Sequence, residues 1–405
     1  MVPLLLTPRG STVGNHRFTK LGFHLLVVFW ILNSFFPLQG LSIEKVVISL
    51  VLLGSVMCFV LQIIKQKEQR KLDRISTVLL GALFFWCLFT IARGVTSDSG
   101  RLFTLVANPE VGGLVWLLPF AVYIGRQPGI LQALLPTFRT HAVIGLGLVV
   151  LTIASVIILD ATPRELPVKV GLILFYAAPL VLLTGIGNQF DRWLNLVGLG
   201  LSAFAHYLLV NRADFALAIV VLMLALAFGR VRDFRRLSLR SIMLVALASG
   251  SILLSYESIV TKLSKDWFQD TRSFLWKEMQ ADFSGNDWIV GRGALGIYYS
   301  PFFRAKMRAK ELGGDSPYRQ VNEIGYLHIA LKAGIIGIIV YFSTVFCAIR
   351  KSLTAKKTRI LIGVSLILIL HLFELAVVGQ ASFQPSRVLL WILIGFSIYN
   401  NINNE

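Results

Sequence analysis

Long apolar runs recur along the chain from residue 22 to residue 400, and they constrain its fold more than any other feature. Each run is close to the length of about 20 residues that a helix needs to cross the hydrocarbon core of a bilayer. A segment in that core must satisfy its backbone N–H and C=O groups internally. The runs are continuous and do not alternate with polar residues, which argues against a β-barrel. The sequence therefore predicts an all-α, polytopic helical membrane protein.

The composition agrees with this fold class, because 15% of the residues are charged, whereas soluble domains average about 25%. The three cysteines, Cys58, Cys87 and Cys347, lie inside apolar runs and are interpreted as small core residues. The pattern predicts twelve membrane spans, with the seventh and eighth joined by a very short turn. They lie at residues 22–39, 44–64, 76–93, 108–125, 142–159, 168–187, 193–211, 214–229, 241–257, 325–348, 360–379 and 388–400.

Three basic loops predict the orientation of these spans. Residues 65–74, 229–240 and 350–359 each carry five Lys or Arg, and all three fall on one side of the membrane if there are twelve spans. The basic amino terminus falls on the same side. By the positive-inside rule this side is cytoplasmic, and both termini are expected there. The loop bias also accounts for much of the net charge of +18.

The same topology divides the chain into three parts. Residues 1–256 hold the first nine predicted spans, residues 257–324 form a large loop outside the cytoplasm, and residues 325–405 hold the last three spans. The loop is mixed in charge and long enough to contain short helices packed on the membrane face. It has no counterpart in the first half of the chain, and there is no internal repeat. This weakens an interpretation as a transporter built from two matching halves.

Ionisable residues lie at the mouth of the tenth predicted span. Gly325, His328 and Lys332 are spaced i, i+3, i+7 and share one helix face. An ionisable residue at the bilayer centre costs at least about 2.5–3.5 kcal/mol, so this face should line the bundle interior or a hydrated cavity. We expect a cavity that is open to the outside. The alternative is that Lys332 extends to the interface and His328 is an interior polar group.

Two further polar sites fall in or beside predicted spans. In the turn NRAD, residues 211–214, Arg212 either pairs with Asp214 or points its guanidinium into the same cavity. His371 and Glu374 lie one helical turn apart inside the eleventh span. One such pair is too few ligands for a metal site, and a hydrogen bond between helices is the favoured interpretation.

The segment TRSFLWKEMQADFSGNDWIVGRGALGIYYSP, residues 271–301, carries Arg272 and a Gly-rich turn that contains Arg292. Glycine permits tight turns and close backbone approach. Arginine stays charged and presents a fork that binds phosphate with two parallel hydrogen bonds. Several arginines beside a polar helix mouth favour an anionic, lipid-linked substrate. Binding of anionic lipid headgroups by the same arginines is the alternative.

Three segments resemble the O-antigen polymerase and O-antigen ligase superfamily of bacterial envelope glycosyltransferases. TRSFLWKEMQADFSGNDWIVGRGALGIYY looks like the Arg-x-x-x-Trp helix and Gly-x-Gly-x-x-Gly-like turn of that family. NEIGYLHIALKAGIIGIIVYF resembles the stretch that closes the large periplasmic loop and enters the next span. NRADFALAIVVL is similar to the Arg-bearing turn that opens a span before the loop. The resemblance covers mainly residues 205–345.

The resemblance implies inverting glycosyl transfer at the periplasmic face of the bacterial inner membrane, with no metal or other cofactor. The donor would be an oligosaccharide on undecaprenyl diphosphate. Arg212 and Arg272 match the motif arginines that hold the diphosphate, and Glu323 is the candidate base or acceptor-orienting carboxylate. An ion pair of Glu323 with Arg319 is the alternative. The candidate substrate-binding residues are Arg292, Arg319, Tyr326, His328 and Lys332.

One departure separates the two branches of the superfamily. Its ligases carry a His, usually followed by Asn, just before the span after the large loop, whereas this chain has Val321-Asn322-Glu323 there. The departure favours a polymerase of lipopolysaccharide repeat units. A ligase that transfers glycan to lipid A-core stays an alternative, as does a transporter of an anion or lipid. The expected partners are the lipid-linked oligosaccharide, the lipid bilayer and a chain-length regulator protein, with no nucleic acid.

Overall fold

The computed structural model describes most of the chain. The described residues are 16–35, 43–65, 72–96, 114–127, 129–159, 177–209, 212–229, 271–308, 317–322, 324–355, 358–377 and 385–399. Within these ranges the chain is mostly helical, with fourteen helices and one two-stranded sheet. The all-α class predicted from the apolar runs is therefore confirmed for the described residues.

The described part of the chain contains fourteen helices and two strands. In sequence they are α1 (Arg17–Phe35), α2 (Ile43–Lys65), α3 (Arg74–Thr96), α4 (Leu114–Gly125), α5 (Ile130–Leu159), α6 (Ala178–Thr184), α7 (Gln189–Leu208), α8 (Arg212–Gly229), α9 (Thr271–Asp282), α10 (Gly285–Val290), β1 (Tyr298–Tyr299), α11 (Pro301–Arg308), β2 (Tyr318–Arg319), α12 (Gly325–Thr354), α13 (Arg359–Val377) and α14 (Pro385–Tyr399). The predicted ninth span, residues 241–257, lies outside the described residues.

Several helices have the length and the surface of membrane spans. Five of the described helices are long and apolar enough to cross a bilayer: Val46–Lys65, Arg74–Gly94, Ile130–Ile158, Gly325–Thr354 and Arg359–Ala376. Their outward faces carry large exposed apolar side chains, among them Leu50, Phe85 and Ile158. Water would not favour such a surface, but lipid would. A helical protein embedded in a membrane is the consistent interpretation, and the number of twelve spans stays a prediction.

The last helix, α14, lies at the centre of the bundle. Residues 388–394 are each at most 5% exposed, and Trp391 is among the largest fully buried side chains. This is expected of a helix that is apolar on all sides, because no face of it favours a polar surround. The helix packs against α4, α12 and α13. Helix α14 therefore connects α4, α12 and α13 within the bundle.

The predicted tenth span is not one continuous helix. Gly334 has φ 65° and ψ −170°, which breaks α12 into residues 325–333 and 335–354. Tyr326 and Phe342 lie eight residues on either side of Gly334, and a straight helix would separate them by about 24 Å. Their ring centroids are 5.5 Å apart. The first half of α12 thus folds back beside the second half, and the expected span over 325–348 is corrected accordingly.

The predicted large loop contains short helices, as expected. Residues 271–308 and 317–322, here called the cap layer, hold α9, α10, α11 and a hairpin that pairs Tyr298 with Arg319. Their apolar side chains pack on the first half of α12 in a separate small core. Its buried members are Leu275, Met279, Phe283, Tyr298, Leu327, Ala330 and Leu331. The first half of α12 is therefore enclosed between the main bundle and the cap layer.

Candidate functional site

The Gly-rich turn of the cap layer binds the break in α12. Leu331 and Lys332 have carbonyl groups that accept the backbone N–H groups of Arg292 at 2.8 Å and Gly293 at 3.0 Å. The indole of Trp86, on α3, donates to the carbonyl of Ala333 at 3.0 Å. A helix end leaves its last carbonyl groups without partners inside the helix. The turn and Trp86 supply those partners. The glycines thus allow the backbone of the turn to approach the end of the first half of α12.

Two glycines make this contact possible. A Cβ atom on Gly334 would lie 2.3 Å from the carbonyl oxygen of Ile289, and one on Gly291 would lie 2.4 Å from the backbone nitrogen of Ala333. Both glycines also have positive φ, of 65° and 70°, a region that side chains disfavour. The fold-back of α12 therefore depends on glycine on both sides of the contact.

Arg292 is engaged inside the cap layer. Its guanidinium donates to both Asp282 and Asp287, with Asp287 Oδ2 at 2.9 and 3.1 Å, and to the carbonyl of Ile297 at 2.8 Å. Burial alone would raise the pKa of Asp287, but the hydrogen bonds and charge of Arg292 outweigh it and lower that pKa. Burial likewise opposes the charge on Arg292, yet both carboxylates raise its pKa. These contacts give Arg292 a structural part, and it would have to exchange them to hold a phosphate.

His328 and Lys332 share a face, as predicted, but that face is enclosed. Their relative exposures are 7% and 3%. The Nδ1 atom of His328 accepts the backbone N–H of Asn322 at 3.3 Å, and Lys332 Nζ donates to the carbonyl of Gly296 at 2.8 Å. The two side chains lie between α12 and the cap layer, whereas the sequence predicted a hydrated mouth open to the outside.

Arg319 and Tyr326 are also in contact with protein groups. The guanidinium carbon of Arg319 lies 3.7 Å from the centroid of the Phe303 ring, the geometry of a cation–π contact. The hydroxyl of Tyr326 donates to the carbonyl of Leu372 on α13. Arg319 therefore lies in the cap layer, whereas Tyr326 connects the start of α12 to the main bundle.

The three predicted catalytic residues lie at the margins of the described structure. Arg212 is the first residue of α8 and Arg272 the second residue of α9, but their side chains are outside the described part of the chain. Glu323 is outside it as well. Among the residues near them in sequence, the structure describes Asp214, two residues after Arg212, and Asn322, which precedes Glu323.

A buried charge cluster, consisting of Tyr341, His371, Glu374 and Arg387, joins α12, α13 and α14. Arg387 donates to both carboxylate oxygens of Glu374, at 2.7 and 2.8 Å. His371 contacts Glu374 at 3.1 Å through Nδ1 and the Tyr341 hydroxyl at 2.6 Å through Nε2. The hydrogen bond between helices predicted for the His371–Glu374 pair is present. Sequence reasoning missed Arg387, although a glutamate inside an apolar span requires a cationic partner.

This cluster lies where several segments meet. The carboxylate of Asp214 interacts electrostatically with Arg387 and lies 3.9 Å from His206 Nδ1, which places the start of α8 near the start of α14. Tyr326 bonds to Leu372, the residue next to His371. In the cap layer, the Asn322 amide lies 3.9 Å from the sulfur of Met279 on α9. The starts of α8 and α12 therefore both lie near the charge cluster, and Asn322 joins the segment before α12 to α9.

Among the described residues, no group of three or more His, Cys, Asp or Glu side chains could hold a metal ion. No family model matches the chain, and no curated protein matches it. The activity of the chain is therefore inferred from its own residues and contacts.

Proposed function

We propose that this chain is a bacterial inner-membrane glycosyltransferase that polymerises lipid-linked oligosaccharide repeat units. In this proposal the donor glycan is carried on undecaprenyl diphosphate, and the acceptor is a hydroxyl group of a second lipid-linked repeat unit. The reaction takes place at the face of the membrane where the cap layer lies. By the charge bias of the loops, that face is periplasmic.

One observation carries the proposal: the start of α8 contacts α14, the start of α12 contacts α13, and Asn322, just before α12, contacts α9. Asp214 interacts with Arg387, Tyr326 reaches α13 beside His371, and Asn322 contacts Met279. Arg212, Glu323 and Arg272 belong to these same three segments, which are far apart in sequence. Two guanidinium groups and one carboxylate are the groups that the proposed glycosyl transfer from a diphosphate uses.

The proposed chemistry uses each group once. The acceptor oxygen attacks the anomeric carbon of the donor, and the bond from that carbon to the diphosphate oxygen breaks. Glu323 takes the proton of the acceptor hydroxyl, in the part of a general base. Arg212 and Arg272 hold the diphosphate and stabilise the negative charge that grows on it as it leaves. The lipid diphosphate departs, and the glycan is longer by the donor oligosaccharide.

The surroundings of His328 favour a polymerase over a ligase. A ligase of this superfamily would be expected to use a histidine near the start of the span after the loop. His328 is the histidine that follows the loop, yet it is 7% exposed and its Nδ1 atom accepts a backbone N–H group from Asn322. That environment supports a structural part for His328 and leaves Glu323 as the candidate base.

The broken helix α12 favours a second candidate, transport of an anion. Discontinuous helices form the substrate sites of several transporter folds, and Lys332 lies buried beside the break at Gly334. Uptake of labelled phosphate or lipid diphosphate into proteoliposomes, without any lengthening of glycan, would select this candidate.

The proposal is tested in the bacterium that carries the gene, by the length of the surface glycan. Replacement of the chromosomal copy by Arg212→Ala, Arg272→Ala or Glu323→Gln should reduce long chains to single repeat units, with normal protein levels in the membrane. Arg350→Ala is the matched control, because Arg350 is exposed near the other end of α12, and it should leave the glycan unchanged. Full-length glycan from either arginine variant would exclude the proposed mechanism.

A further inference from the structure

A second polar site lies at the end of the bundle opposite the cap layer. There α6 and α8 end, α7 and α13 begin, and a cavity of about 230 Å³ opens between them. Arg192 of α7 and Arg359 of α13 line one side of it. Neither arginine has a part in the proposed glycosyl transfer.

Both guanidinium groups contact backbone carbonyl groups at the end of α6. Arg192 Nη2 donates to the carbonyl of Gly185 at 2.9 Å, and Arg359 Nη2 lies 3.4 Å from the carbonyl of Leu182. The positive charges of the two arginines repel each other. A bound anion would offset this repulsion, because a guanidinium fork fits two phosphate oxygens.

The carboxylate next in sequence is committed elsewhere. Asp191 accepts two hydrogen bonds from Arg139, at 2.6 and 2.9 Å. It also accepts the backbone N–H of Asn188 at 2.9 Å as part of the cap at the start of α7. Asp191 is 1% exposed. Its charge therefore serves the contact between α5 and α7 and the helix cap.

The other side of the cavity is apolar and continues onto the surface of the bundle. Trp193, Leu196 and Leu226 line it, and Trp193 and Leu226 are each 57% exposed. Phe190 and Val197, on the same face of α7, are 59% and 48% exposed. Tryptophan favours the depth of the lipid headgroups. A ligand of this cavity would therefore meet cationic groups at one end and hydrocarbon at the other.

We infer that the cavity binds the phosphate headgroup of an anionic phospholipid, with its acyl chains along Trp193, Leu196 and Leu226. Basic pockets between helices on the cytoplasmic side of a membrane recognise such headgroups. The location agrees with this class of ligand, because Arg359 is the last residue of the basic loop 350–359 that predicts the cytoplasmic face. The apolar side of the cavity selects a phospholipid over free phosphate.

Native mass spectrometry of the full chain in detergent tests this inference. With phosphatidylglycerol and phosphatidylcholine added in equal amounts, the wild type should retain phosphatidylglycerol preferentially, by about tenfold. The double variant Arg192→Gln/Arg359→Gln should lose that preference. Arg350→Gln removes one positive charge from an exposed position near the same end of the bundle, and it should keep the preference.

Three outcomes overturn the inference. The first is equal retention of both lipids by the wild type. The second is an unchanged preference in the double variant, or a loss of preference in Arg350→Gln as large as in the double variant. The third is displacement of the lipid by millimolar inorganic phosphate, which would identify a free phosphate site. Arg192→Lys is the control for misfolding, because it keeps the positive charge and removes the guanidinium fork. This variant should retain an intermediate preference for phosphatidylglycerol.

Discussion

Glu374 and Arg387 form a buried ion pair between α13 and α14. Arg387 is 7% exposed, and both oxygens of Glu374 accept its hydrogen bonds. Two charges that leave water lose hydration, and only close, well-directed contacts repay that loss. Each residue therefore compensates the charge of its partner, and the pair holds α14 against α13.

Arg387→Met should destabilise the protein strongly, by about 3–5 kcal/mol, because it leaves the Glu374 carboxylate buried without its cation. The double variant Glu374→Gln/Arg387→Met should recover a large part of that loss. Thermal unfolding of the purified protein in detergent measures both, with Arg350→Met as a control that should match the wild type. An Arg387→Met protein that unfolds at the wild-type temperature would show that the pair contributes nothing to stability.

The reversal of α12 at Gly334 is the element that brings the cap layer onto the bundle. It depends on α3, through Trp86, and on the turn at Gly291. The first half of α12 buries Leu327, Ala330 and Leu331 against the cap layer. Because Glu323, the proposed base, lies two residues before this half-helix in sequence, we expect the reversal to affect the proposed reaction.

Gly334→Ala should loosen this contact. Its backbone lies at φ 65° and ψ −170°, where a side chain costs about 1–3 kcal/mol, and its Cβ would overlap the carbonyl of Ile289. We expect a lower unfolding temperature and faster proteolysis of residues 285–296. Gly147→Ala in α5 is the control, since nothing lies within 4 Å of its Cβ position. Equal behaviour of the two variants would contradict the assigned part of Gly334.

Acid should destabilise the cap layer by protonating Asp287. The folded-state pKa of Asp287 is lowered by Arg292, so its contribution to stability is complete above the unfolded pKa of about 4. That contribution is lost as the pH falls further, through the folded pKa. Hydrogen exchange of residues 285–296 should therefore accelerate, relative to intrinsic rates, below about pH 4. Asp287→Asn should show the faster exchange already at neutral pH. A variant with wild-type protection would show that this carboxylate does not stabilise the cap layer.

At the scale of the whole molecule, the apolar runs predict helices well because span length and hydropathy are local properties. The break at Gly334 could not be predicted in this way, because the run AGIIGIIVYF is apolar throughout and its reversal depends on partners from α3 and the cap layer. Arg292 shows a different difficulty. Asp282 and Asp287 are visible in the sequence as partners for it, but an arginine in a Gly-rich turn is equally typical of phosphate binding.

The orientation that the basic loops predict is open to a direct check. In a chain whose cysteines are replaced by alanine, Ser99→Cys should react with a membrane-impermeant thiol reagent from the periplasm. Ser238→Cys, in the basic loop 229–240, should react after the membrane is permeabilised. The reverse pattern would place the cap layer in the cytoplasm and exclude a periplasmic reaction.

Reconstitution of the purified protein shows whether the chain itself lengthens lipid-linked glycan. Purified protein in vesicles is supplied with the undecaprenyl-diphosphate-linked repeat unit as the sole sugar substrate, with a metal chelator present. We predict a ladder of products that differ by one repeat unit, absent with Arg272→Ala and unchanged with Arg350→Ala. Substrate that stays at one repeat unit, or product that forms solely after lipid A-core is added, would contradict the account.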